Sequence, residues 1–337
     1  MTRRILPRRL KPGGTVALVA PASPIYRNGE TPRQIVERVR RRLHAAGFRT
    51  VVAPHAYDAR GYLAGRDEDR AQDLLEAFAD PAVDAILCLG GGYGSPRLLD
   101  LLDYDLIARH PKIFVGYSDI TALHAAIGRR TGLVTFHGLM GWDLAPRADA
   151  NPRAVAFSWE WFVQAVTRAE PLGELPARAP WQPQPLYTVV PGSASGRLAG
   201  GNLSLLAATL GTPYEVDTAG KILLIEDVGE APYRIDRMLT QLKLAGKLDD
   251  VAGFLIAEWV DCEPEPGRPS LTLAQVLEDI IAPLGKPAVA GLAAGHGPGR
   301  LTLPLGVEVR IEAPDPDRRT SGFSYPRVIV TEPAVVD

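Results

Sequence analysis

Residues 112–121 read Lys-Ile-Phe-Val-Gly-Tyr-Ser-Asp-Ile-Thr, and the rest of the chain is interpreted outward from them. Residues 112–115 predict a short buried parallel strand, and residues 119–128 predict the helix that follows it. The tight turn Gly116-Tyr117-Ser118 lies between the two. Such a turn lifts the serine out of the sheet edge, beside the first free N–H groups of the helix.

Ser118 fits the geometry of a nucleophile elbow, in which the N–H after the serine helps to bind an oxyanion. The match to the pattern G-x-S-x-G is incomplete, because Ile120 stands where the second glycine would be. Ser118 or Asp119 could instead be a simple helix N-cap. On this stretch alone the cap is favoured, and the other motifs of the chain shift the balance toward the elbow.

Strands and helices alternate through the first half of the chain, which predicts a parallel sheet with helices on both faces. The predicted strands are residues 15–20, 51–52, 85–89, 112–115 and 133–136. The predicted helices are residues 31–48, 66–78, 96–108 and 119–128. The second half predicts a mixed α+β body with late strands of antiparallel character. The predicted fold class is therefore α/β, with a smaller mixed α+β C-terminal domain.

The expected domain boundaries follow from the weak, proline-rich pattern over residues 144–193, where one helix is predicted near 156–168. Residues 1–165 form the predicted N-terminal α/β domain, which carries Ser118. Residues 166–195 form a linker, and residues 196–337 form the C-terminal domain. A chain of 337 residues is long enough for two such domains.

The bulk composition excludes several classes of function. Thirty-seven basic and 39 acidic residues give a net charge of −2, which argues against a nucleic acid or an anionic membrane as partner. Cys88 and Cys262 have neither disulfide nor metal-ligand spacing, and we expect buried thiols. The basic start lacks the apolar run of a signal peptide, and no stretch approaches a membrane span. A cytoplasmic protein is expected.

A glycine-rich loop, Gly90-Gly-Gly-Tyr-Gly94, directly follows the third predicted strand, at the edge where α/β sheets bind ligands. Its spacing matches neither a dinucleotide fingerprint nor a P-loop. A loop that binds an oxyanion or a substrate backbone fits better, with Gly91 and Tyr93 as candidate substrate contacts. A plain turn before the next helix is the alternative.

Two motifs of the second half supply candidate partners for Ser118. Glu226 and Asp227 end an apolar strand, and His296 stands between two glycines that leave its imidazole uncovered. His137, just after a predicted strand, is the competing histidine. Serine, glutamate and histidine then occur in one of the orders known for nucleophile, orienting acid and base. In that scheme His296 takes the proton of Ser118, and Glu226 rather than Asp227 holds the imidazole.

Together these motifs resemble the LD-carboxypeptidase family over nearly the whole chain. The segments that carry the resemblance, in order, are Val19-Ala-Pro-Ala-Ser23, Tyr62-Leu-Ala-Gly65, Gly91-Gly-Tyr-Gly94, Gly116-Tyr-Ser-Asp-Ile-Thr121, Gly200-Gly-Asn-Leu-Ser204, Glu226-Asp-Val-Gly-Glu-Ala-Pro-Tyr-Arg234 and Gly295-His-Gly297. The resemblance implies a serine peptidase with a Ser118–His296–Glu226 triad. It implies backbone oxyanion donors, which fall on Asp119 and Gly92, a site between two domains, a homodimer, and neither metal nor organic cofactor.

The resemblance also implies a substrate: a cell-wall (murein) tetrapeptide, cleaved between an L-configured centre and a terminal D-alanine. Family members often carry arginine where this chain has Gly90, which puts recognition of a substrate carboxylate in question. Hydrolysis of a peptidyl-nucleotide antibiotic of the microcin C type is the alternative within the family. Trp181 is then the candidate for stacking on a nucleobase, unless it packs at the domain interface. A non-catalytic module that binds a small ligand between two domains is the alternative of another class.

Overall fold

The computed structural model describes residues 3–315 and 325–337 of the chain. Five parallel strands form most of a first sheet: β1 (Thr15–Val19), β2 (Arg49–Val52), β3 (Ala85–Cys88), β4 (Ile113–Gly116) and β5 (Thr135–His137). Their order across the sheet is β5-β4-β3-β1-β2. Because all five run the same way, the turns after β3 and β4 meet at one edge.

Helices cover both faces of this first sheet. They are α1 (Pro32–Ala45), α2 (Asp67–Ala79), α3 (Tyr104–Arg109), α4 (Thr121–Thr131), α5 (Gly141–Leu144) and α6 (Pro152–Thr167). Alternate residues of each strand enter different cores, as the pleat requires. Val16 and Leu18 pack with α1 on one face, whereas Ala17 and Val19 pack with α2, α3 and α4 on the other. The predicted α/β class is thus confirmed, with apolar runs buried on both faces.

The remaining strands are β6 (Gly173–Glu174), β7 (Tyr187–Val190), β8 (Gly192–Asn202), β9 (Ile222–Val228), β10 (Gly253–Val260), β11 (Ala288–Leu292), β12 (Leu303–Leu305), β13 (Glu308–Ala313) and β14 (Arg327–Val330). Eight of these nine form a second sheet in the order β6-β14-β13-β8-β9-β10-β11-β7. Its central pairs, β8-β9, β9-β10 and β10-β11, are parallel, and the outer pairs are antiparallel. The helices α7 (Leu203–Ala208), α8 (Pro232–Leu244) and α9 (Leu273–Ile280) belong to this half.

Sheet pairing differs from the expected boundaries at two places. Strands β6 and β7 lie within residues 166–195, which the sequence predicts as a linker, and they pair with β14 and β11. They were missed because they are short and flanked by prolines. Strand β12, within the predicted C-terminal domain, instead pairs antiparallel with β5 of the first sheet. The chain therefore returns to the first body after β11.

Two predicted helices have different bounds in the structure. The helix predicted over 96–108 is interrupted: a 3₁₀ turn covers Ser95–Leu98, and α3 begins later, where the Asp103 side chain accepts a hydrogen bond from the Leu106 N–H. The helix predicted over 119–128 begins as a 3₁₀ turn, Ser118–Ile120, before α4. Among the described residues, no helix has both the length and the apolar character needed to cross a membrane.

The two bodies meet closely where β8 ends against α4. Gly201 has a φ of +140°, and a Cβ built on it would lie 2.6 Å from Thr121 Oγ1. The Thr121 hydroxyl oxygen accepts a hydrogen bond of 3.0 Å from the Asn202 N–H. Glycine is required here because any side chain would push the bodies apart.

We expect Gly201→Ala to lower stability by more than backbone strain alone. Gly211→Ala is the matched control, since Gly211 also has a positive φ of +78° but no atom within 4 Å of its virtual Cβ. The control substitution should lower the free energy of unfolding by about 1 kcal/mol. Gly201→Ala should cost at least twice as much, because overpacking adds about 1–3 kcal/mol. Thermal melting followed by circular dichroism would measure both, and equal losses would contradict the close approach.

Candidate active site

Ser118 sits in a strained turn directly after β4. Its φ of +62° lies in the left-handed region, which costs a non-glycine residue about 1–3 kcal/mol. Ile120 explains the incomplete motif: a Cβ on Gly116 would be 2.9 Å from Ile120 Cγ2, so this isoleucine packs over the glycine. Neither the 3₁₀ turn nor α4 has a side-chain N-cap hydrogen bond. Ser118 is therefore held for a purpose other than capping.

The structure brings three of the predicted site residues into one hydrogen-bonded chain. His296 Nε2 lies 2.9 Å from Ser118 Oγ, and His296 Nδ1 lies 2.7 Å from Glu226 Oε2. Glu226 is fully buried at the end of β9, whereas His296 keeps 14% of its side-chain surface exposed. Ser118 thus comes from the first body, and its two partners come from the second.

Asp227, the neighbour of Glu226, points to other partners. Its carboxylate accepts hydrogen bonds from the Asn202 side-chain amide at 2.9 Å and from the Ser204 hydroxyl at 2.7 Å. Burial raises the pKa of Asp227, and the hydrogen bond from Ser204 opposes that rise. The Gly200–Ser204 segment is therefore tied to β9 through Asp227, while Glu226 faces His296.

The glycine loop lies against the Ser118 turn. A Cβ on Gly91 would be 3.0 Å from Ser118 Cβ and 3.5 Å from the Asp119 nitrogen, so Gly91 is a close neighbour of the nucleophile turn. Gly92 has a φ of +101° and lies against Ser23, whose hydroxyl oxygen accepts a hydrogen bond from the Tyr93 N–H at 3.0 Å. The loop is thus braced by the Val19–Ser23 segment on one side and by the elbow on the other.

The Asp119 side chain fastens the far end of this loop. Its carboxylate accepts the Ser95 N–H at 2.8 Å, and the Ser95 hydroxyl donates to the Asp119 carbonyl at 2.5 Å. Burial raises the pKa of Asp119, and the hydrogen bonds from Ser95 counter that rise. This pair links the end of the glycine loop to the first turn after Ser118.

The structure gives a physical reason for glycine at position 90. A Cβ there would be 2.1 Å from Nε1 of Trp142, so the indole occupies the space that a side chain at 90 would need. Trp142 is held in place, because its backbone N–H donates to the Leu89 carbonyl at 3.1 Å and the Arg27 guanidinium lies 5.4 Å from its ring centre. Arginine at position 90 is incompatible with this packing.

The two aromatic candidates occupy different environments. Tyr93 is half exposed at the rim of the glycine loop, where its ring meets Tyr62 edge-to-face at 5.4 Å. Trp181 packs edge-on against Phe157 of α6 at 5.0 Å, and its ring lies against Gly299. Trp181 thus makes the packing contacts that the sequence analysis offered as the alternative to base stacking.

Tyr117 and Arg300, which the sequence did not assign to the site, lie in series beside His296. The Tyr117 ring lies 5.0 Å from the imidazole, and the Arg300 guanidinium stacks 3.9 Å from the centre of the same tyrosine ring. Arg300 is buried and binds both carboxylate oxygens of Asp143, at 2.9 and 3.0 Å. No sequence pattern marked these residues, because the contact joins positions 157 residues apart.

The glycines beside His296 have a packing role as well. A Cβ on Gly297 would be 2.4 Å from Glu258 Oε2, and one on Gly295 would be 2.3 Å from the Glu258 carbonyl oxygen. Glu258 accepts a hydrogen bond of 2.8 Å from Gln182, and burial raises the pKa of the Glu258 carboxyl. The histidine loop therefore lies directly on β10.

A group of possible metal ligands lies outside this site. Ligand atoms of His55, Asp58 and Asp69 are within 4.8 Å of one another. Nδ1 of His55 is already 2.8 Å from Asp73 Oδ1, and exposed acidic groups of this kind are common without an ion.

Comparisons with known proteins agree with this architecture. Residues 16–138 match the family profile of the LD-carboxypeptidase N-terminal domain, and residues 195–311 match that of the C-terminal domain. A probable murein peptide carboxypeptidase of Bacillus subtilis is 44% identical over 303 residues, which is 90% of either chain. The microcin C7 self-immunity protein of Escherichia coli is 33% identical over 294 residues, 80% of this chain and 83% of that protein.

Solved structures show the same similarity in three dimensions. The microcin C7 self-immunity protein in complex with aspartyl sulfamoyl adenosine aligns with a TM-score of 0.80 and 28% identity, covering 98% of this chain and 100% of that one. The two-body α/β fold and the matched profiles define a peptidase. The chain belongs to the LD-carboxypeptidase family.

A buried histidine beneath the elbow makes stability dependent on pH. His124 of α4 donates from Nε2 to the Gly116 carbonyl at 2.9 Å, and burial lowers the pKa of His124 from 6.5 to about 3. Between these values the unfolded chain binds a proton that the folded chain does not. The free energy of unfolding should therefore fall as pH falls through this window, by about 1.4 kcal/mol per pH unit.

His124→Met should remove this part of the pH dependence while lowering stability at neutral pH. Urea unfolding at several pH values between about 4 and 7 would measure the slope. His110→Met, at an exposed histidine, is the control and should leave the slope unchanged. A slope in His124→Met equal to that of the wild type would mean that His124 is not held neutral.

Proposed function

We propose that this peptidase is a serine-type LD-carboxypeptidase that releases the terminal D-alanine from murein tetrapeptides. The observation that carries the proposal is the continuous chain of hydrogen-bond distances from Ser118 Oγ through His296 to Glu226. A nucleophile within reach of a base, which is itself oriented by a third group, is the arrangement that covalent catalysis needs. The murein peptide carboxypeptidase name of the Bacillus subtilis relative supports the substrate class.

In the proposed reaction, Ser118 Oγ attacks the carbonyl carbon of the L-configured residue while His296 Nε2 takes the hydroxyl proton. Glu226 holds Nδ1–H and offsets the positive charge of the imidazolium. The tetrahedral oxyanion is bound by the Asp119 N–H and, in the predicted scheme, the Gly92 N–H. Collapse expels D-alanine, whose amine takes the proton from His296. Water, deprotonated by His296, then hydrolyses the acyl-enzyme and restores Ser118.

Substrate contacts are proposed for the rim of the glycine loop. Gly91 lies beside Ser118, and the Tyr93 ring is exposed at the other end of the same loop. Because Gly90 offers no guanidinium, recognition of the terminal carboxylate falls to backbone N–H groups of this loop, which favour anions. Trp142, which fills the space at position 90, also lines an open cavity of about 630 Å³ with Tyr26 and Arg27.

Hydrolysis of a peptidyl-nucleotide is the second candidate. The microcin C7 self-immunity structure was solved with aspartyl sulfamoyl adenosine, and its fold covers nearly all of this chain. Against it, Trp181, the candidate for stacking on a nucleobase, packs with the Phe157 ring and against Gly299, which is a packing role that needs no nucleotide. A non-catalytic binding module is disfavoured by the hydrogen-bonded serine. The homodimer and the cytoplasmic location stay predictions.

The first test is Ser118→Ala, assayed by mass spectrometry of a murein tetrapeptide incubated with purified protein. Wild type should release one D-alanine, and the variant should be slower by at least about 10³-fold, because the nucleophile is lost. Ser270→Ala, at an exposed serine outside the site, is the control and should retain activity.

Equal release by wild type and Ser118→Ala would remove Ser118 from the proposed role. Release by neither would lead to the same assay with a peptidyl-adenylate. Cleavage of that substrate by wild type alone would favour the second candidate. Failure with both substrates, together with no labelling of Ser118 by a serine-directed acylating reagent, would favour the binding module.

A further inference from the structure

His137, the competing histidine of the sequence analysis, forms a direct link between the two bodies. It ends β5 of the first sheet, is fully buried, and its Nε2 lies 2.8 Å from the Ala294 carbonyl oxygen. A carbonyl can only accept, so Nε2 carries the proton. Burial lowers the pKa of His137, which keeps the ring neutral. Among the described residues, its Nδ1 has no hydrogen-bond partner.

The position of His137 in the first sheet is fixed relative to Ser118. Gly116 of β4 pairs in register with His137 of β5, and the Gly138 N–H donates to the Gly116 carbonyl at 3.0 Å. Gly116 precedes Ser118 by two residues. A shift of the His137 ring relative to the elbow would therefore require the β4-β5 pairing to break.

On the other side of the bond, Ala294 precedes His296 by two residues. The loop that follows, Gly295-His-Gly297, has no side chains beside the histidine with which to anchor itself. Further ties to the first body come after His296, where Arg300 Nη2 donates to the Gly297 carbonyl at 3.1 Å, Nη1 binds Asp143, and the Arg300 backbone N–H donates to the Ser158 hydroxyl oxygen at 2.8 Å. His137 therefore binds the chain before the histidine loop, and Arg300 binds the chain after it.

We propose that His137 is a positioning residue, whose Nε2–H···O=C bond to Ala294 sets the separation between Ser118 Oγ and His296 Nε2. The inference rests on the proposed serine chemistry and adds a residue to it. A short rigid path runs from Ser118 through Gly116 and β5 to His137, and then through Ala294 to His296. Without this bond, Ala294 loses its direct hydrogen bond to the first body, whereas the Arg300 side of the loop keeps its own. A displacement of about 1 Å at a reacting group can cost about 10²-fold in rate.

The test compares two substitutions at position 137. His137→Gln keeps an amide N–H that can reach the Ala294 carbonyl, whereas His137→Met fills similar space without a donor. We expect His137→Met to lower kcat by roughly 10–100-fold with KM changed by less than about 3-fold, because binding groups are untouched. His137→Gln should recover most of that loss. If His137→Met does not fold, His137→Asn, whose shorter amide does not reach Ala294, takes its place.

His124→Met is the matched control, because His124 is also a buried neutral histidine that donates Nε2–H to a backbone carbonyl. The hydrogen bond of His124 lies within the first body. When that bond is lost, the Gly116 carbonyl still accepts a hydrogen bond from the Gly138 N–H. The control should lose comparable thermal stability and much less kcat. Equal loss of kcat in the two methionine variants, or no recovery by His137→Gln, would overturn the inference.

Acylation of Ser118 by a fluorophosphonate reagent separates this inference from the choice of substrate. The rate of labelling reports the approach of Ser118 and His296 and needs no peptide. One outcome is that the wild type cleaves no tetrapeptide but Ser118 is labelled rapidly in the wild type, nearly as rapidly in His137→Gln, and slowly in His137→Met. In that case the proposed substrate is wrong and the positioning role of His137 is supported. Equal labelling rates in all three proteins, with tetrapeptide cleavage intact, would overturn the positioning role alone. A wild type that neither cleaves nor labels would overturn both.

Discussion

The hydrogen bond between Ser118 and His296 crosses from the first body to the second, and its length depends on how the two bodies pack. Ser118 follows β4 of the first sheet, whereas Glu226 lies near the end of β9 and His296 follows β11 of the second. The proposed reaction centre therefore requires a stiff interface between the bodies. Gly201 meets that need by letting β8 approach the Thr121 side chain at the start of α4.

The strain at Ser118 is sustained by the same packing. A serine held at a φ of +62° would relax if the turn were free, because the left-handed region is disfavoured for residues with a Cβ. Ile120 packs on Gly116 and so restrains one side of the turn. The hydrogen bonds between Asp119 and Ser95 restrain the turn against the glycine loop. The free-energy cost of the strained Ser118 backbone is offset by the burial of Ile120 and Asp119, which the fold already requires.

Local sequence signals predicted the fold class and drew attention to Ser118, Glu226 and His296 as candidates. The apolar runs of β1, β3 and β4 are continuous because both faces are buried, and Ser118 comes two residues after the last of these strands. Local signals failed where the structure depends on distant partners. Strand β12 pairs with the edge strand β5, and Trp142 fills the space beside Gly90 although it lies 52 residues further along the chain. Arg300 and Asp143 likewise carry no local pattern that marks them as a pair.

The charged groups around His296 are held in pairs. His296 Nδ1 lies 2.7 Å from the buried Glu226 carboxylate. The buried Arg300 guanidinium lies 3.9 Å from the centre of the Tyr117 ring, and that ring lies 5.0 Å from the imidazole. Asp143 binds this guanidinium with both carboxylate oxygens, so the buried cation has a partner of opposite charge. A buried cation without such a partner would be strongly destabilising. The Arg300–Asp143 pair can therefore hold the histidine loop, through the bond from Arg300 to the Gly297 carbonyl, without leaving an unpaired charge beside Glu226 and His296.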